Sequence, residues 1–378
     1  MGPLAGVRVV ELAGIGPAPF CCMALADMGA AVIRVDRTAP ADLGLPGDPR
    51  LALLNRGRRS VAVDLKAPEG AAVVRRLAAD ADILVEGFRP GVTERLGLGP
   101  DDLLALNPRL VYGRMTGWGQ DGPLARAAGH DLNYIALAGA LDPIGDAGGP
   151  PVPPLNLVGD FGGGALYLAF GLVCALLEAR HTGAGQVVDA AIVDGVAHLM
   201  TDIHGKIAAG RWSPERGGNL LSGATPFYAT YATRDGRHVA VGAIEARFFR
   251  ELLHRLGIAA EAPQHDPAGW PALRERLAAT FRTRTRDEWV ALLEGTDACF
   301  APVLTPEEAR DHPHLLARGT FVTVDGVRQP APAPRFGRSA TAVPGPPPTP
   351  GQHTDAILGE HGYAPDAVAA LRAAGVVL

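Results

Sequence analysis

The sequence predicts an α/β protein in which a large domain with a doubly wound parallel sheet precedes a smaller α+β domain. Two observations carry this prediction. Short apolar strands alternate with helical segments through the first third of the chain, and after about residue 225 the pattern changes to a hairpin followed by helices. Alternation of strand and helix is typical of a parallel sheet covered on both faces. The 378 residues are enough for two or three units with cores of their own.

The strands of the large domain are marked by short apolar runs. These runs fall at residues 7–12, 31–35, 60–65, 83–85, 110–112 and 186–194. The helical segments between and after them are 20–28, 68–79, 100–106, 165–180 and 195–207. This order predicts a Rossmann-like sheet, with a ligand bound beyond the carboxyl ends of its strands.

The later part of the chain has a different pattern. Two alternating runs, 227–231 and 238–242, flank the turn Asp235-Gly236 and predict a hairpin. Helical patterns follow at 246–256, 270–281, 286–294 and 306–310, and again at 356–360 and 365–374 after the Pro-rich stretch 329–350. We therefore expect a large domain at 1–200, a linker at 201–224, a small domain at 225–320, and a tail at 321–378 that returns to the large domain.

Composition excludes several classes of protein. Hydrophobic residues make up 47% and charged residues 20%, which is typical of a globular chain. The net charge of −5 comes without a long basic run, so we expect no nucleic-acid partner. The longest apolar run, 161–177, opens with three glycines. Only 165–177 is expected to be helical, which is too short for a bilayer, so it is interpreted as a buried core helix and no membrane partner is expected.

The cysteines and the N-terminal segment bear on the compartment. The four cysteines are too scattered for a disulfide framework or a metal site, and are interpreted as buried thiols. The first apolar run is interrupted by Arg8 and Glu11, so it is interpreted as a strand and not a signal peptide. Together these features predict a cytoplasmic protein.

Cations recur near the predicted strand ends, where a phosphate-rich ligand could bind. They are Arg37, Arg56, Arg58, Arg59, Lys66, Arg89 and Arg95. The turn GIGPAP after the first strand is not a dinucleotide fingerprint, and Asp36, at the end of the second strand, is followed at once by Arg37. The residues thus argue against a nicotinamide or flavin cofactor and favour a ligand with several phosphates. The alternative is that these cations are ordinary solvated charges.

Three residues are candidates for proton chemistry. His130 lies between a Gly- and Pro-rich loop and an apolar helical run, in the stretch 115–141. Asp160 precedes a glycine-rich helix start, and Glu245 follows the apolar strand of the later hairpin. Each has a simpler interpretation: a surface or capping histidine, a helix N-cap carboxylate, and a charged loop residue.

Seven motifs resemble those of the class III CoA-transferase superfamily (CaiB/BaiF type), and within it the α-methylacyl-CoA racemases. They are GVRVVELAGIGP, EGFRPGVTERLGLGP, GWGQDGP, AGHDLNYIALAGAL, PPLNLVGDFGGG, GQVVDAAIVDG and AVGAIE, and the match runs from residue 3 to about residue 340. The resemblance implies an intertwined homodimer, with active sites where the large domain of one subunit meets the small domain of the other. It also implies action on 2-methyl-branched acyl-CoA thioesters without a separate cofactor or metal, as in lipid metabolism.

The same resemblance assigns roles to individual residues. His130 corresponds to the base, Asp160 to the carboxyl group on the opposite face of the substrate, and Glu245 to the acid that orients the histidine. The positions implied in CoA binding are Arg37, Val63, Asp64, Leu65, Lys66, Gly87, Phe88, Arg89, Arg95, Gly129, Asp131, Leu132, Asn133 and Tyr134. Relative to close relatives, the chain has an insertion between Arg37 and Asn55, directly before Arg56, Arg58 and Arg59.

Proton-transfer chemistry agrees with these roles. Inversion at a carbon beside a thioester needs one group that removes the α-proton and another that returns a proton from the opposite face. A neutral imidazole and a protonated carboxyl can exchange these roles, while backbone N–H groups near Asp131 stabilise the enolate oxygen. The alternatives are a CoA-transferase with Asp131 as nucleophile and a non-catalytic acyl-CoA-binding protein. The acyl group is left open, because one sequence does not locate its pocket.

Overall fold

The computed structural model describes residues 1–39 and 47–378. Part of the insertion predicted between Arg37 and Asn55 therefore lies outside the described residues. The contacts divide the chain into two compact units. Unit 1 consists of Met1–Gly139, Pro154–Thr201 and Arg318–Leu378, and unit 2 of Ala140–Pro153 and Asp202–Ala317. The tail residues are thus grouped with the N-terminal part of the chain.

Unit 1 is built on a parallel sheet, as the sequence predicts. Its strands are β1 (Arg8–Leu12), β2 (Ala31–Asp36), β3 (Arg58–Ala62), β4 (Ile83–Glu86), β5 (Val111–Thr116) and β6 (Val187–Ala191). Their order in space is β3-β2-β1-β4-β5-β6, and every neighbouring pair is parallel. The chain leaves β1 on one side and returns at β4 on the other, so the loops after these two strands diverge and open a crevice.

Helices cover the sheet of unit 1 and continue into its tail. They are α1 (Pro17–Asp27), α2 (Pro68–Ala79), α3 (Val92–Arg95), α4 (Pro100–Leu106), α5 (Asp131–Leu137), α6 (Leu166–Thr182) and α7 (Ile192–Leu199), with α14 (Thr354–Glu360) and α15 (Pro365–Ala373) in the tail. A core of buried aliphatic residues, including Val73, Leu77, Leu84 and Ile357, lies between the sheet and the α2, α4 and tail helices. Truncating one such leucine to alanine costs about 2–5 kcal/mol.

The stretch before α6 departs from the sequence prediction. Leu157–Ala165 is π-helical and continues directly into α6, although it contains four glycines. The prediction that the helix starts at 165 is therefore wrong. Its glycines permit close packing: a Cβ on Gly163 would meet Val196, and one on Gly164 would meet Ile192. Tight packing against α7 thus outweighs the poor helix propensity of glycine.

The prediction of a buried core helix is also wrong for one face of α6. Leu166, Phe170, Val173 and Leu177 are exposed, and Phe170 shows 71% of its surface. Among the described residues, Leu157–Thr182 is the helix that by length and apolar composition could cross a membrane. The opposite face of α6 packs on the sheet, because Leu168 and Leu172 lie against Gly113 of β5. A single helix of this kind is weak evidence for a membrane, since core helices of soluble proteins have the same character.

The tail of unit 1 protects the open edge of β3. The N–H of Ser60 donates to Nδ1 of His353 at 3.1 Å, and the N–H of His353 donates to the Ser60 carbonyl at 2.9 Å. Val63 forms a bridge with Val377. The tail also contains a hairpin that the sequence does not predict, β10 (Phe321–Val324) with β11 (Val327–Pro330). Covering an edge strand in this way removes a site of unwanted strand pairing.

Unit 2 is α+β, in line with the prediction for the small domain. Its strands β7 (Tyr228–Ala232), β8 (His238–Gly242) and β9 (Phe300–Pro302) form an antiparallel sheet, of which β9 is not predicted from the sequence. Its helices are α8 (Thr201–Ala208), α9 (Ala246–Leu256), α10 (Trp270–Phe281), α11 (Arg286–Leu293), α12 (Pro306–Ala309) and α13 (Pro313–Ala317). Aliphatic and aromatic residues form the core together, and within it the indole N–H of Trp289 donates to the Phe281 carbonyl at 2.8 Å.

The cysteines are only partly as expected. Cys21 and Cys22 are buried in α1, whereas Cys174 on α6 is exposed and Cys299 is half-buried. The interpretation of all four as buried thiols is therefore wrong for the last two. Cys174 is exposed because it lies near the uncovered face of α6.

Candidate active site

A pocket of about 550 Å³ opens at the crevice of the parallel sheet in unit 1. It is lined by the loop after β1, the loop after β4, the loop after β5 and the start of α7 after β6. These are carboxyl ends of parallel strands, where open α/β sheets bind their ligands. Both His130 and Asp160 line this pocket, although 29 residues separate them in sequence.

His130 is held at the pocket by the fold of the loop between β5 and α5. It occupies the N-cap position of α5 with extended backbone, and its N–H donates to Oδ1 of Asn133 at 3.0 Å. The His130 side chain makes no capping hydrogen bond to the helix. The simpler interpretation as a capping histidine thus applies to its backbone position, while the ring lines the pocket.

Tyr134 fixes the loop that carries His130. Its hydroxyl donates to the Gly129 carbonyl, and its ring meets the indole of Trp118 edge-on with centroids 4.7 Å apart. A Cβ on Gly117 or Gly129 would clash with the Tyr134 ring. Glycine is therefore required at both positions, which explains two of the glycines in the motifs GWGQDGP and AGHD.

Asp160 lies within the π-helical segment and not at its N-cap, so the simpler interpretation as a capping carboxylate is wrong. Its N–H donates to Oδ1 of Asp131 at 2.6 Å. On the side of α1, Gly16 has φ +67°, and a Cβ there would lie 3.0 Å from Oδ2 of Asp160. The neighbouring Phe161 stacks on Phe20 with centroids 4.3 Å apart, which ties this segment to α1.

The environment of Asp160 favours its protonated form. Burial, followed by the negative charge of Asp131, raises the pKa of the Asp160 carboxyl to about 6, against opposing contributions from a hydrogen bond to Asn156 and from His130. A carboxyl with a pKa near 6 is poised to gain and lose a proton close to neutral pH. Asn156 was not singled out from the sequence, although its spacing of four residues from Asp160 on a helix is a usable signal.

Arg89 brings a positive charge to the same pocket. It lies in the loop after β4 with Gly87, Phe88 and Pro90, and its side chain is exposed. The loop begins at Glu86, whose Oε2 accepts the N–H of Phe88 at 2.7 Å. Of the predicted CoA-binding positions, Gly87, Phe88, Arg89, Gly129 and Tyr134 line the pocket.

The other predicted CoA-binding positions lie outside the pocket lining. Arg37 follows β2 and is exposed, as is Lys66 beyond β3, whereas Val63 is buried against the tail. Arg95 is exposed at the end of α3, and Asp64 and Leu65 are half-buried after β3. Asp131, Leu132 and Asn133 form the first turn of α5, beside the pocket. Their role in CoA binding stays a prediction.

Three of the cations expected at the carboxyl edge of the sheet are not there. Arg56, Arg58 and Arg59 lie at the start of β3, the opposite end of the strand. Arg56 is buried with Asp27, and Nε of Arg58 donates to the fully buried Glu11 at 2.9 Å. Arg59, which is partly exposed, pairs with Glu360. The two buried arginines are counter-ions of buried carboxylates, so both the ligand interpretation and the solvated-charge interpretation are wrong for them.

Glu245 belongs to unit 2, where it lies exposed at the start of α9. Its predicted role in orienting His130 stays a prediction. Trp118 and Gly16, which the sequence did not single out, both line the pocket. The GWG motif could have indicated Trp118, but only the structure shows that Gly16 makes room for Asp160.

Comparison with known proteins identifies the family of the chain. The model of CoA-transferase family III matches residues 4–354. The chain is 47% identical to the α-methylacyl-CoA racemase of Mus musculus over 99% of its own length and 97% of the relative's. It is 46% identical to the α-methylacyl-CoA racemase of Homo sapiens, with 95% and 94% of the two chains covered.

Among solved structures, a CAIB/BAIF family protein from Brucella suis superposes with a TM-score of 0.84 at 30% identity, covering 95% of this chain and 99% of that one. Both the sequence and the structural similarity extend over nearly the whole length of the chain. The chain belongs to CoA-transferase family III.

Proposed function

We propose that this protein is an isomerase that interconverts (R)- and (S)-2-methylacyl-CoA thioesters by moving the α-proton through an enolate. The observation that carries the proposal is that His130 and Asp160 line one pocket, with the pKa of Asp160 raised to about 6. Two relatives more than 45% identical over nearly the whole chain are α-methylacyl-CoA racemases, which supports the same reaction.

Proton transfer in both directions requires only the side chains of His130 and Asp160. In one direction neutral His130 removes the α-proton, and protonated Asp160 returns a proton to the opposite face of the enolate. In the other direction the Asp160 carboxylate is the base and protonated His130 is the acid. Backbone N–H groups in the first turn of α5 are suited to stabilise the enolate oxygen, a contribution of roughly 3–4 kcal/mol in known enzymes. No redox cofactor or metal is required, because the thioester itself acidifies the α-carbon.

The carboxyl edge of the sheet offers a place for the CoA moiety. Arg89, Arg37 and Lys66 follow β4, β2 and β3, and all three are exposed. Neighbouring strands are about 4.8 Å apart, so the cations after β3 and β4 are separated by three strand spacings, or roughly 14 Å. That separation suits an elongated ligand with phosphates on one end and a thioester on the other.

We also propose a homodimer. The exposed apolar residues of α6, Leu166, Phe170, Val173 and Leu177, recur every three or four residues and so form one stripe. A second copy of this chain is the occupant that the family resemblance implies. Light scattering after gel filtration should give twice the chain mass, and Phe170→Asp should shift the protein towards monomer. A wild-type monomer that binds vesicles would instead favour a membrane surface as the occupant.

A CoA-transferase that uses Asp131 as nucleophile is the second candidate. It is favoured by the family to which the chain belongs and by the position of Asp131 at the start of α5. Against it, Oδ1 of Asp131 is occupied by the N–H of Asp160, and Asp131 is not among the residues that line the pocket.

One experiment separates the candidates. The protein is incubated in deuterated water with a single enantiomer of a 2-methylacyl-CoA and no acceptor acid. The racemase incorporates deuterium at the α-carbon while optical purity is lost. A transferase exchanges CoA only when a second acid is added, and a binding protein does neither. Absence of deuterium incorporation by the folded wild-type protein would rule out the proposed function.

A further inference from the structure

We infer that Asp131 is a positioning residue for Asp160, which it anchors through a hydrogen bond to the Asp160 backbone, and that it does not attack the substrate. This inference rests on the proposed function and concerns the same site. It assigns a new role to the residue that would be the nucleophile if the protein transferred CoA.

The first observation is the direct contact between the two residues. Oδ1 of Asp131 accepts the N–H of Asp160 at 2.6 Å, and the acceptor lies in the first turn of α5 while the donor lies in the π-helical segment. The bond therefore joins the two elements that carry His130 and Asp160. A charge-assisted bond of this length is among the stronger hydrogen bonds in proteins.

The second observation is that the chain makes room for this contact. A Cβ on Gly159 would collide with Oδ1 of Asp131 and would lie 2.9 Å from Cγ2 of Ile135. Gly159 is buried and has no positive φ, so its backbone conformation does not by itself require glycine. The requirement comes from the carboxylate of Asp131, which occupies the space that a side chain at 159 would fill.

The third observation is where the Asp131 carboxylate does not lie. The pocket is lined by His130 and Asp160, but not by Asp131. A nucleophile must reach the thioester carbonyl to form its covalent intermediate. Oδ1 of Asp131 faces the backbone of the π-helical segment instead.

Three side chains with a titratable or polar group lie near Asp160 besides Asp131. Two of them favour the ionised carboxyl: His130, whose charge opposes the effect of Asp131, and Asn156, which donates a hydrogen bond to the carboxyl. The third is Tyr134 of α5, whose hydroxyl pKa is raised by burial and then by the charge of Asp160. On the α1 side the carboxyl faces Gly16, which has no side chain. Among these neighbours, Asp131 is the one whose negative charge acts together with burial to raise the pKa of Asp160.

The test compares Asp131→Asn with wild type in the full-length protein. Asparagine keeps an oxygen acceptor for the Asp160 N–H but removes the charge, so the fold is retained and the pKa of Asp160 falls. The Asp160 carboxyl is therefore expected to titrate at lower pH than in wild type. This titration is read from the carboxyl ¹³C resonance of labelled aspartate, assigned to Asp160 by its loss in Asp160→Asn. Asp101→Asn, an exposed carboxylate on α4, serves as the charge control and should leave that resonance unchanged.

Racemisation gives the second readout. In Asp131→Asn, kcat/KM should fall by roughly three- to tenfold in both directions, with the acidic limb of its pH profile moved to lower pH. Gly159→Ala, which displaces the carboxylate, should lose more activity than Asp131→Asn. Wild-type activity in folded Gly159→Ala would overturn the anchoring by Asp131, and an unchanged Asp160 titration in Asp131→Asn would overturn the effect of its charge. Loss of all activity in Asp131→Asn, together with an acyl-enzyme trapped by hydroxylamine in wild type, would show that Asp131 is the nucleophile. A wild type that does not racemise refutes the proposed function instead, and the titration still tests the inference.

Discussion

Replacing Glu86 by glutamine tests how much the buried ion pair between Glu86 and Arg114 stabilises the fold. Glu86 is fully buried at the end of β4, and its Oε1 accepts Nε of Arg114 at 2.8 Å. Its other oxygen accepts the N–H of Phe88. Burial raises the pKa of Glu86, so the carboxylate itself is costly to bury and its main role is to neutralise Arg114. Glutamine keeps an acceptor but leaves that guanidinium without its buried counter-ion.

The expected loss follows from the burial of the pair. Arg114 is 6% exposed, and its Nη2 has no hydrogen-bond partner among the described residues. Removing one partner of a buried pair costs about 3–5 kcal/mol. Nη1 of Arg114 still reaches Glu94 at 2.8 Å, so the lower end of that range, about 3 kcal/mol, applies. For a unit of this size the loss lowers Tm by roughly 6–12 °C.

Thermal unfolding of the single and double variants is the assay. If the cost of Glu86→Gln comes from the unpaired guanidinium, adding Arg114→Met should restore most of the lost Tm. Glu94→Gln is the matched control, because Glu94 pairs with the same arginine but its side chain is 43% exposed, and it should cost less than about 1 kcal/mol. A double variant less stable than Glu86→Gln alone would refute the reasoning.

Three further predictions concern the pocket. Because the pKa of Asp160 is about 6, kcat/KM should decline below about pH 6, where His130 and Asp160 both become protonated and neither can act as the base. The pH profile should have the same shape in both directions, because each active form carries one proton on this pair. Profiles of different shape would contradict that protonation scheme. Gly16→Ala places a Cβ 3.0 Å from Oδ2 of Asp160 at a residue with φ +67°, and it should reduce kcat at least tenfold. Gly14→Ala, with open space around its Cβ, should have near wild-type kcat, and equal kcat values for the two variants would contradict the close approach of Gly16 to Asp160. Arg89→Ala should raise KM for a CoA thioester by roughly tenfold. It should leave KM unchanged for the corresponding pantetheine thioester, which lacks the nucleotide phosphates, and an equal rise in KM for both thioesters would show that Arg89 does not bind phosphate.

Much of the fold follows from local patterns in the sequence. The helices at 68–79, 100–106, 246–256 and 270–281 have the predicted bounds, because proline or a change of periodicity marks their starts. The parallel sheet of unit 1 follows from the alternation of strands and helices. Strand ends are predicted less well, since β3 starts at Arg58 and ends at Ala62, not at residues 60 and 65. The start is earlier because ion pairs with Asp27 and Glu11 allow Arg56 and Arg58 to be buried before and within the strand.

What could not be predicted depends on contacts between distant parts of the chain. The π-helical segment forms because α7 packs against its glycines, and no local propensity indicates this. The partners of Arg56 and Arg58 are Asp27 and Glu11, which only the completed sheet brings near. The motifs pointed to His130 and Asp160 through the family resemblance. That both line one pocket, and that Asp131 holds the backbone of Asp160, is visible only in the folded chain.

The central claim is that His130 and Asp160 move protons on opposite faces of the substrate. Its most direct test is α-hydrogen exchange in deuterated water with each pure enantiomer of a 2-methylacyl-CoA, using folded His130→Ala and Asp160→Ala. We predict that racemisation falls by about 10²–10⁴-fold in both variants. We further predict that each variant still exchanges one enantiomer with retention, and that the two variants exchange opposite enantiomers. Near wild-type racemisation in either variant, or exchange of the same enantiomer by both, would contradict the account.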